Sequence, residues 1–218
     1  MIIFVGDVHA EFDRMAAALT KAPRDAQIIQ VGDFGIWPNC EKRWARSGMQ
    51  EFEKPVLFID GNHECFPMLS QDQVPKEIWP GAVHVPRGSV LRIDSYTIGF
   101  LGGGTSIDKA YRKGGTSWFA DEQITEEQLR RFDGQTIDIL VTHTPPAETI
   151  ARNFDSRIPI SFGFDADFID PEAHKVEKVW HQLGRPKLFC GHMHSSVQDG
   201  PVRILDICEA YALPEKRR

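Results

Sequence analysis

Short apolar runs rich in β-branched residues recur along the chain: IIFV (2–5), AQIIQV (26–31), PVLFID (55–60), TIGFL (97–101), IDILVT (137–142), KLFC (187–190) and VRILDI (202–207). Their apolar positions are consecutive rather than alternating, the pattern of strands buried on both faces. Between them lie helix-like segments at 11–22, 40–52, 125–132 and 171–183. Thr125 followed by Gln128 forms a capping box, Pro171 suits a first helical turn, and Asn39 is a candidate cap for the segment at 40–52. Strands alternating with helices predict an α/β fold, and the closer β pattern over 83–101 adds some antiparallel strands. Two long connections, 102–122 and 145–170, read as lid-like excursions. No linker interrupts the pattern, so a single domain over 1–218 is expected.

Composition narrows the class. With 218 residues, 41% hydrophobic and 26% charged, the chain can bury a full core. It holds no apolar run of about 18 residues, and its start, MIIFVGDVHAEF, is neither basic nor apolar for long enough to act as a signal peptide. A soluble, cytoplasmic protein without membrane contact is the expectation. The four cysteines (Cys40, Cys65, Cys190 and Cys208) form no C-x-x-C pair, which fits reduced thiols. A net charge of −6 argues against binding to duplex DNA through its phosphates. It does not argue against a phosphate-processing site, because divalent cations would concentrate positive charge at one point.

The candidate chemistry follows the strands. Asp7 and His9 come after the first apolar run, Asp33 after the second, Asn62, His63 and Glu64 after the third, His143 after IDILVT, and His192 and His194 after KLFC. The carboxyl ends of strands are where α/β sheets build their sites, so these residues should converge. On extended backbone, residues i and i+2 share a face, so His192 with His194, and Asp7 with His9, should each point one way. An isolated H-x-H is read equally well as one surface and one packed imidazole. Five of the eight histidines, however, fall beside Asp7, Asp33 and Asn62, and together they point to a metal site. His84, His174 and His181 lie outside the pattern. The mixed imidazole, carboxylate and amide donors suit Mn, Fe or Zn better than Mg or Ca.

The series D-x-H, G-D (32–33), G-N-H-E (61–64), a lone His143 and G-H-x-H (191–194) resembles the calcineurin-like metallophosphoesterases over residues 6–194. The resemblance implies a four-layer α-β-β-α sandwich with mixed sheets and two divalent ions, Mn favoured, at the carboxyl ends of the strands. It assigns Asp7, His9, Asp33 and His194 to one ion, and Asp33 (bridging), Asn62, His143 and His192 to the other. A metal-bridging hydroxide would then attack a phosphate ester directly, and His63 would serve as general acid or leaving-group contact. Glu64 either orients His63 or caps the next helix.

Two departures narrow the substrate. Ala10 stands where many members have the glycine of D-x-H-G, and GDFGIWPN replaces G-D-x-x-D-R, which removes the phosphate-binding arginine of the protein phosphatases. GDF, GNHE and GGGTSIDKAYRKG are instead similar to the RNA lariat-debranching enzymes, although Asp7 stands where those typically carry cysteine. A phosphodiester of a nucleotide or short single-stranded RNA is therefore the expected substrate. Arg112 and Lys109, with Asn62, would contact its phosphate, and Tyr111 or Trp118 would offer a stacking face. The alternative for this loop is a solvated basic segment whose aromatics pack inward. A phosphomonoesterase and a non-catalytic scaffold are the alternatives for the whole chain. Cys65 and Cys190 are read as packing residues.

Overall fold

The apolar runs pair into two mixed six-stranded sheets. The computed structural model describes residues 1–69, 73–165, 168 and 170–214. The first sheet contains β1 (Ile2–Val5), β2 (Gln27–Gln30), β3 (Val56–Phe58), β4 (Lys76–Trp79), β5 (Ala82–His84) and β12 (Ala210–Ala212), in the order β12-β1-β2-β3-β5-β4. The second contains β6 (Ser89–Ile93), β7 (Tyr96–Leu101), β8 (Ile139–Thr142), β9 (Lys187–Cys190), β10 (Val197–Asp199) and β11 (Val202–Ile204), in the order β10-β11-β9-β8-β7-β6. The inner strands β1, β2, β3 and β5 of the first sheet are mutually parallel, as are β7, β8, β9 and β11 of the second. β12, β4, β6 and β10 run antiparallel at the edges.

Alternate residues of each inner strand serve different layers, which is why the runs are apolar throughout. Ile2 and Phe4 of β1 face the second sheet in a cluster with Ile98, Phe100, Ile139, Val141 and Phe189. Phe4 stacks on Phe189 with ring centroids 3.8 Å apart. Ile3 and Val5 point the other way, beneath α1 (Phe12–Ala18) and α2 (Glu41–Arg46). On the far side, Leu140, Leu188 and Ile204 of the second sheet pack against Leu129 of α3 (Glu126–Arg130) and Val176, Val179 and Trp180 of α6 (Pro171–Gln182). The result is the expected four-layer α-β-β-α sandwich. A tryptophan anchors each outer layer: Trp44 donates to Pro80 O at 2.8 Å and Trp180 to Pro186 O at 2.9 Å. Each also buries a large apolar side chain, a contribution of roughly 1.5–3 kcal/mol.

Several boundaries differ from the sequence reading. The helix expected at 40–52 ends at Arg46, because Gly48 turns left-handed (φ 76°), and a single 3₁₀ turn follows at Met49–Glu51. Asn39 does not cap it; Asn39 sits at φ 70°, and Cys40 occupies the cap without a side-chain bond. The Thr125 capping box is present, and Asp170 caps α6 ahead of Pro171. Over 83–101, β6 and β7 are antiparallel, whereas β5 joins β3 in parallel. The excursion at 145–170 contains α4 (Ala147–Asn153) and α5 (Ile158–Ser161); its residues 166, 167 and 169 lie outside the described residues. No helix among the described residues is long and apolar enough to cross a membrane.

Candidate metal centre

The parallel strands of both sheets end at one edge, and the turns beyond them interlock. Val8 and His9 N–H donate to Asp33 O at 3.0 and 2.8 Å, and Gly191 N–H donates to His143 O at 3.0 Å. His9, Asp33, His192 and His194 adopt φ values of 47°, 54°, 68° and 47°, in the left-handed region that non-glycine residues usually avoid. The extended-backbone premise therefore fails, although Asp7 and His9 do converge as that spacing suggested. The side chains converge because each turn is left-handed, and the two members of H-x-H part company: His194 joins His9, and His192 joins His143.

Close approach needs glycine beside both carboxylates. A Cβ on Gly191 would lie 1.8 Å from Asp7 Oδ1, and one on Gly61 would lie 2.1 Å from Asp33 Oδ1. The space left free is used by backbone donors. His192 N–H reaches both oxygens of Asp7 at 3.0 and 3.1 Å, and His63 N–H reaches Asp33 Oδ1 at 2.7 Å.

Two groups of ligand atoms result. Those of Asp7, His9, Asp33 and His194 all lie within 4.8 Å of one another, with His9 Nε2 3.0 Å from His194 Nε2 and His194 Nε2 3.2 Å from Asp7 Oδ2. In the second group His143 Nε2 is 3.1 Å from Asn62 Oδ1, 3.3 Å from His192 Nδ1 and 3.5 Å from Asp33 Oδ1. Asp33 reaches into both groups.

These residues fit cations. His143 Nδ1 lies 3.1 Å from Val31 O, a carbonyl that can only accept, so this nitrogen carries a proton, and the lone pair of Nε2 is directed inward, open to a second proton or a cation. Asn62 Nδ2 donates to Ser106 Oγ at 3.1 Å, which turns Oδ1, another acceptor, toward that lone pair. Acceptors facing acceptors call for a positive charge between them. The protonation equilibria agree. Burial alone would raise the Asp33 pKa, but His143, His63 and His9 outweigh it and hold the carboxyl well below its usual range. Burial opposes a charge on His143, yet Asp33 and Asp7 push its pKa up to about 9. Burial and the neighbouring His143 charge press His192 down to about 4, whereas a hydrogen bond with Asp7 raises His194. Two buried carboxylates thus draw positive charge from whatever can supply it, a proton on imidazole or a metal ion.

His63 stands beside these groups, its ring edge-on to His9 at 5.3 Å. The Arg112 guanidinium lies against both of its ring nitrogens. Burial and the Arg112 charge outweigh Asp33 and lower the His63 pKa. Arg112 is itself held by Asp108 at 2.8 Å and Asn62 O at 3.1 Å, with its side chain only 7% exposed. The structure therefore brings Arg112 to the centre. It places Lys109 elsewhere, with Nζ 3.8 Å from the centroid of the Trp118 ring, whose face is thereby covered. Tyr111 is 76% exposed.

Glu64 neither orients His63 nor caps a helix. Its carboxylate accepts N–H groups from Phe34 (2.6 Å), Gly35 (3.2 Å) and Ile36 (2.6 Å), which fixes the turn that presents Asp33. Burial, together with Asp33, raises its pKa to about 8 against the pull of those N–H groups. A further chain of residues was silent in the sequence. Glu122 accepts from Ser106 N and Oγ, so it fixes the hydroxyl that orients Asn62. Arg87 donates to the carbonyls of Asp121, Glu122 and Gln123 at 2.8, 3.2 and 2.6 Å and pairs with buried Asp60. Ser106 lies within the GGGTS stretch that had drawn notice, but Arg87 and Glu122 carry no local signal.

A sequence model of the calcineurin-like phosphoesterase family matches residues 1–196. No curated protein matches the chain.

Proposed function

The chain belongs to the calcineurin-like phosphoesterase family of metal-dependent phosphoric ester hydrolases, and on that premise we propose that it hydrolyses a phosphodiester with two divalent cations, Mn²⁺ favoured. The observation that carries the reading is the convergence of Asp7, His9, Asp33 and His194 beside Asn62, His143 and His192, with Asp33 common to both groups. On this reading the first four residues hold one cation, and Asp33, Asn62, His143 and His192 hold the other. Bound divalent cations supply Lewis acidity, which lowers the pKa of water and offsets charge on the phosphoryl oxygens.

The remaining work falls to the chain. No hydroxyl or thiol stands among these ligands, which supports direct transfer of the phosphoryl group to water. His63 lies beside Asp33 and His9 without belonging to either group, a position suited to protonating the leaving alkoxide. Arg112 touches the His63 ring and the Asn62 carbonyl, so it positions both. Nucleotides and short single-stranded RNA are candidate diesters, but Lys109 already covers the Trp118 face and so removes one stacking surface for a base of either.

Dialysis against chelator should abolish hydrolysis of bis(p-nitrophenyl) phosphate, and Mn²⁺ should restore it. The diester should be cleaved at least as efficiently as p-nitrophenyl phosphate. His63→Ala should keep its bound metal and lose about 10²–10⁴-fold in turnover of alkyl esters, with partial recovery for nitrophenolate, which needs no proton. Activity that survives metal removal overturns the reading, and a clear preference for monoesters overturns the diester assignment.

A further inference from the structure

Beside the two ligand groups opens a cavity of about 890 Å³, and Asp33, Asn62, His63, His192 and His194 form part of its wall. It lies near the upper end of the size range of small-molecule sites, far larger than a phosphoryl group needs. Its outer wall comes from the 145–170 excursion. Phe154, Ile158 and Phe162 line it there, and Ile107 and Met193 line it nearer the centre. Ile158 is 40% exposed, so part of this apolar wall faces solvent.

The charges on this wall have one sign. Asp108, Glu148, Asp155, Asp170 and Glu177 line the cavity, and no lysine or arginine does so among the described residues. Most of these acids have partners: Asp108 pairs with Arg112, Glu148 with Arg152 and Arg185, and Asp155 with Arg157, while Asp170 accepts from Thr105 Oγ1 at 2.6 Å and Glu177 accepts the Glu148 N–H at 2.6 Å. They are therefore fixed carboxylates rather than free arms. Among the described residues no lysine or arginine lines the cavity itself to receive the further phosphates that a nucleic-acid strand would bring. A neutral apolar group would meet aromatic and aliphatic surface and displace water from it.

The geometry points to a substrate whose phosphoryl group carries one bulky apolar substituent, aryl or alkyl, seated in this cavity with no additional phosphate. This rests on the phosphoesterase reading of the adjoining centre and names the chemistry of the group attached there. Ile158, Phe154 and Phe162 are then the specificity-determining residues.

The test is the binding of methylphosphonate and benzylphosphonate to the Mn²⁺-loaded protein, measured by titration calorimetry, with turnover of methyl p-nitrophenyl phosphate as a separate readout. Seating the phenyl ring should tighten binding by about 10- to 100-fold over methylphosphonate. Phe162→Ser should bring that ratio toward one. Ile158→Lys, at an exposed position where folding is not at stake, should lower it in the same direction. Methylphosphonate binding and methyl ester turnover with a ratio near one would overturn the apolar-group assignment alone. A 3′,5′-linked trinucleotide bound more tightly than benzylphosphonate would overturn it in favour of a nucleic-acid strand. Absence of both phosphonate binding and turnover would take down the phosphoesterase reading, and this inference with it.

Discussion

Replacing Arg87 with methionine should be among the costliest single changes outside the candidate ligand groups. Its guanidinium is the partner of Asp60, whose carboxylate is 2% exposed, with contacts of 2.8 Å from Nε and 2.5 Å from Nη2. Removing one member of a buried pair leaves an uncompensated charge, a penalty of about 3–5 kcal/mol. At about 2–4 °C per kcal/mol for a chain of this size, Arg87→Met should melt roughly 6–20 °C below wild type. Asp60→Asn/Arg87→Met should be less destabilised than the sum of the single variants, by about 0.5–3 kcal/mol, because neither charge is then stranded. Acid gives an independent check. Burial would raise the Asp60 pKa, but Arg87 and His84 outweigh it and hold the carboxyl well below its usual range. A depressed folded-state pKa stabilises fully above the unfolded value, about 3.9, and that contribution drains away as pH falls toward the folded value. The gap between wild type and Asp60→Asn should therefore be full at about pH 5–7 and shrink below about pH 4. Because Arg87 also holds the backbone of 121–123, the variant should bind Mn²⁺ more weakly through the loosened Glu122, Ser106 and Asn62 chain. Melting within about 2 °C of wild type, or strict additivity in the double variant, would refute the reasoning.

Glu64→Gln keeps the volume but puts an amide donor against one of the buried N–H groups of Phe34, Gly35 or Ile36. The orphaned donor should lower stability by about 1–3 kcal/mol and weaken metal binding through Asp33, and an unchanged melting temperature would contradict this. Burial raises the Cys208 pKa to about 11 and holds Cys190 well above the ordinary thiol value, in both cases with help from the nearby Asp7 charge. Both thiols should resist iodoacetamide at pH 8 in the folded protein and react once it is denatured, as mass spectrometry would show; labelling of the native protein at the rate of a free thiol would contradict the packing described.

What was legible in the sequence follows from burial. β1 and β8 were readable because every residue is buried and nearly all are apolar, and β2 and β9 because a buried apolar centre, Ile28-Ile29 and Leu188-Phe189, stands out despite Gln27, Gln30 and the exposed Lys187. β4, β10 and β12 were not, since an edge strand such as Lys76–Trp79 is half exposed and mixes polar with apolar residues. The candidate ligand residues were readable because each lies within a few residues of the end of a buried strand. Their convergence came about differently from the expectation, since extended backbone would have kept His192 with His194, and left-handed turns separated them. The supports of the site were invisible for another reason. Arg87 meets Asp60, and Glu122 meets Ser106, only after the chain has folded back on itself, and nothing in the local sequence of either arginine or glutamate announces the partner. Lys109 shows the reverse case: a basic residue in a Gly-rich excursion suggested a substrate contact, whereas its Nζ lies over the Trp118 ring within its own loop.

The split parentage of the ligand groups has a consequence for cohesion. Asp7, His9, Asp33 and Asn62 belong to turns of the first sheet, while His143, His192 and His194 belong to turns of the second. Neither sheet alone presents a complete set, so a cation held here acts as a rivet through the seam where Phe4 stacks on Phe189. A ligand that binds only the folded form adds about 2.7 kcal/mol at a hundredfold excess over its dissociation constant, a sizeable share of a typical domain's stability. Scarcity of the metal would then loosen the grip of one half of the molecule on the other as well as silence the chemistry.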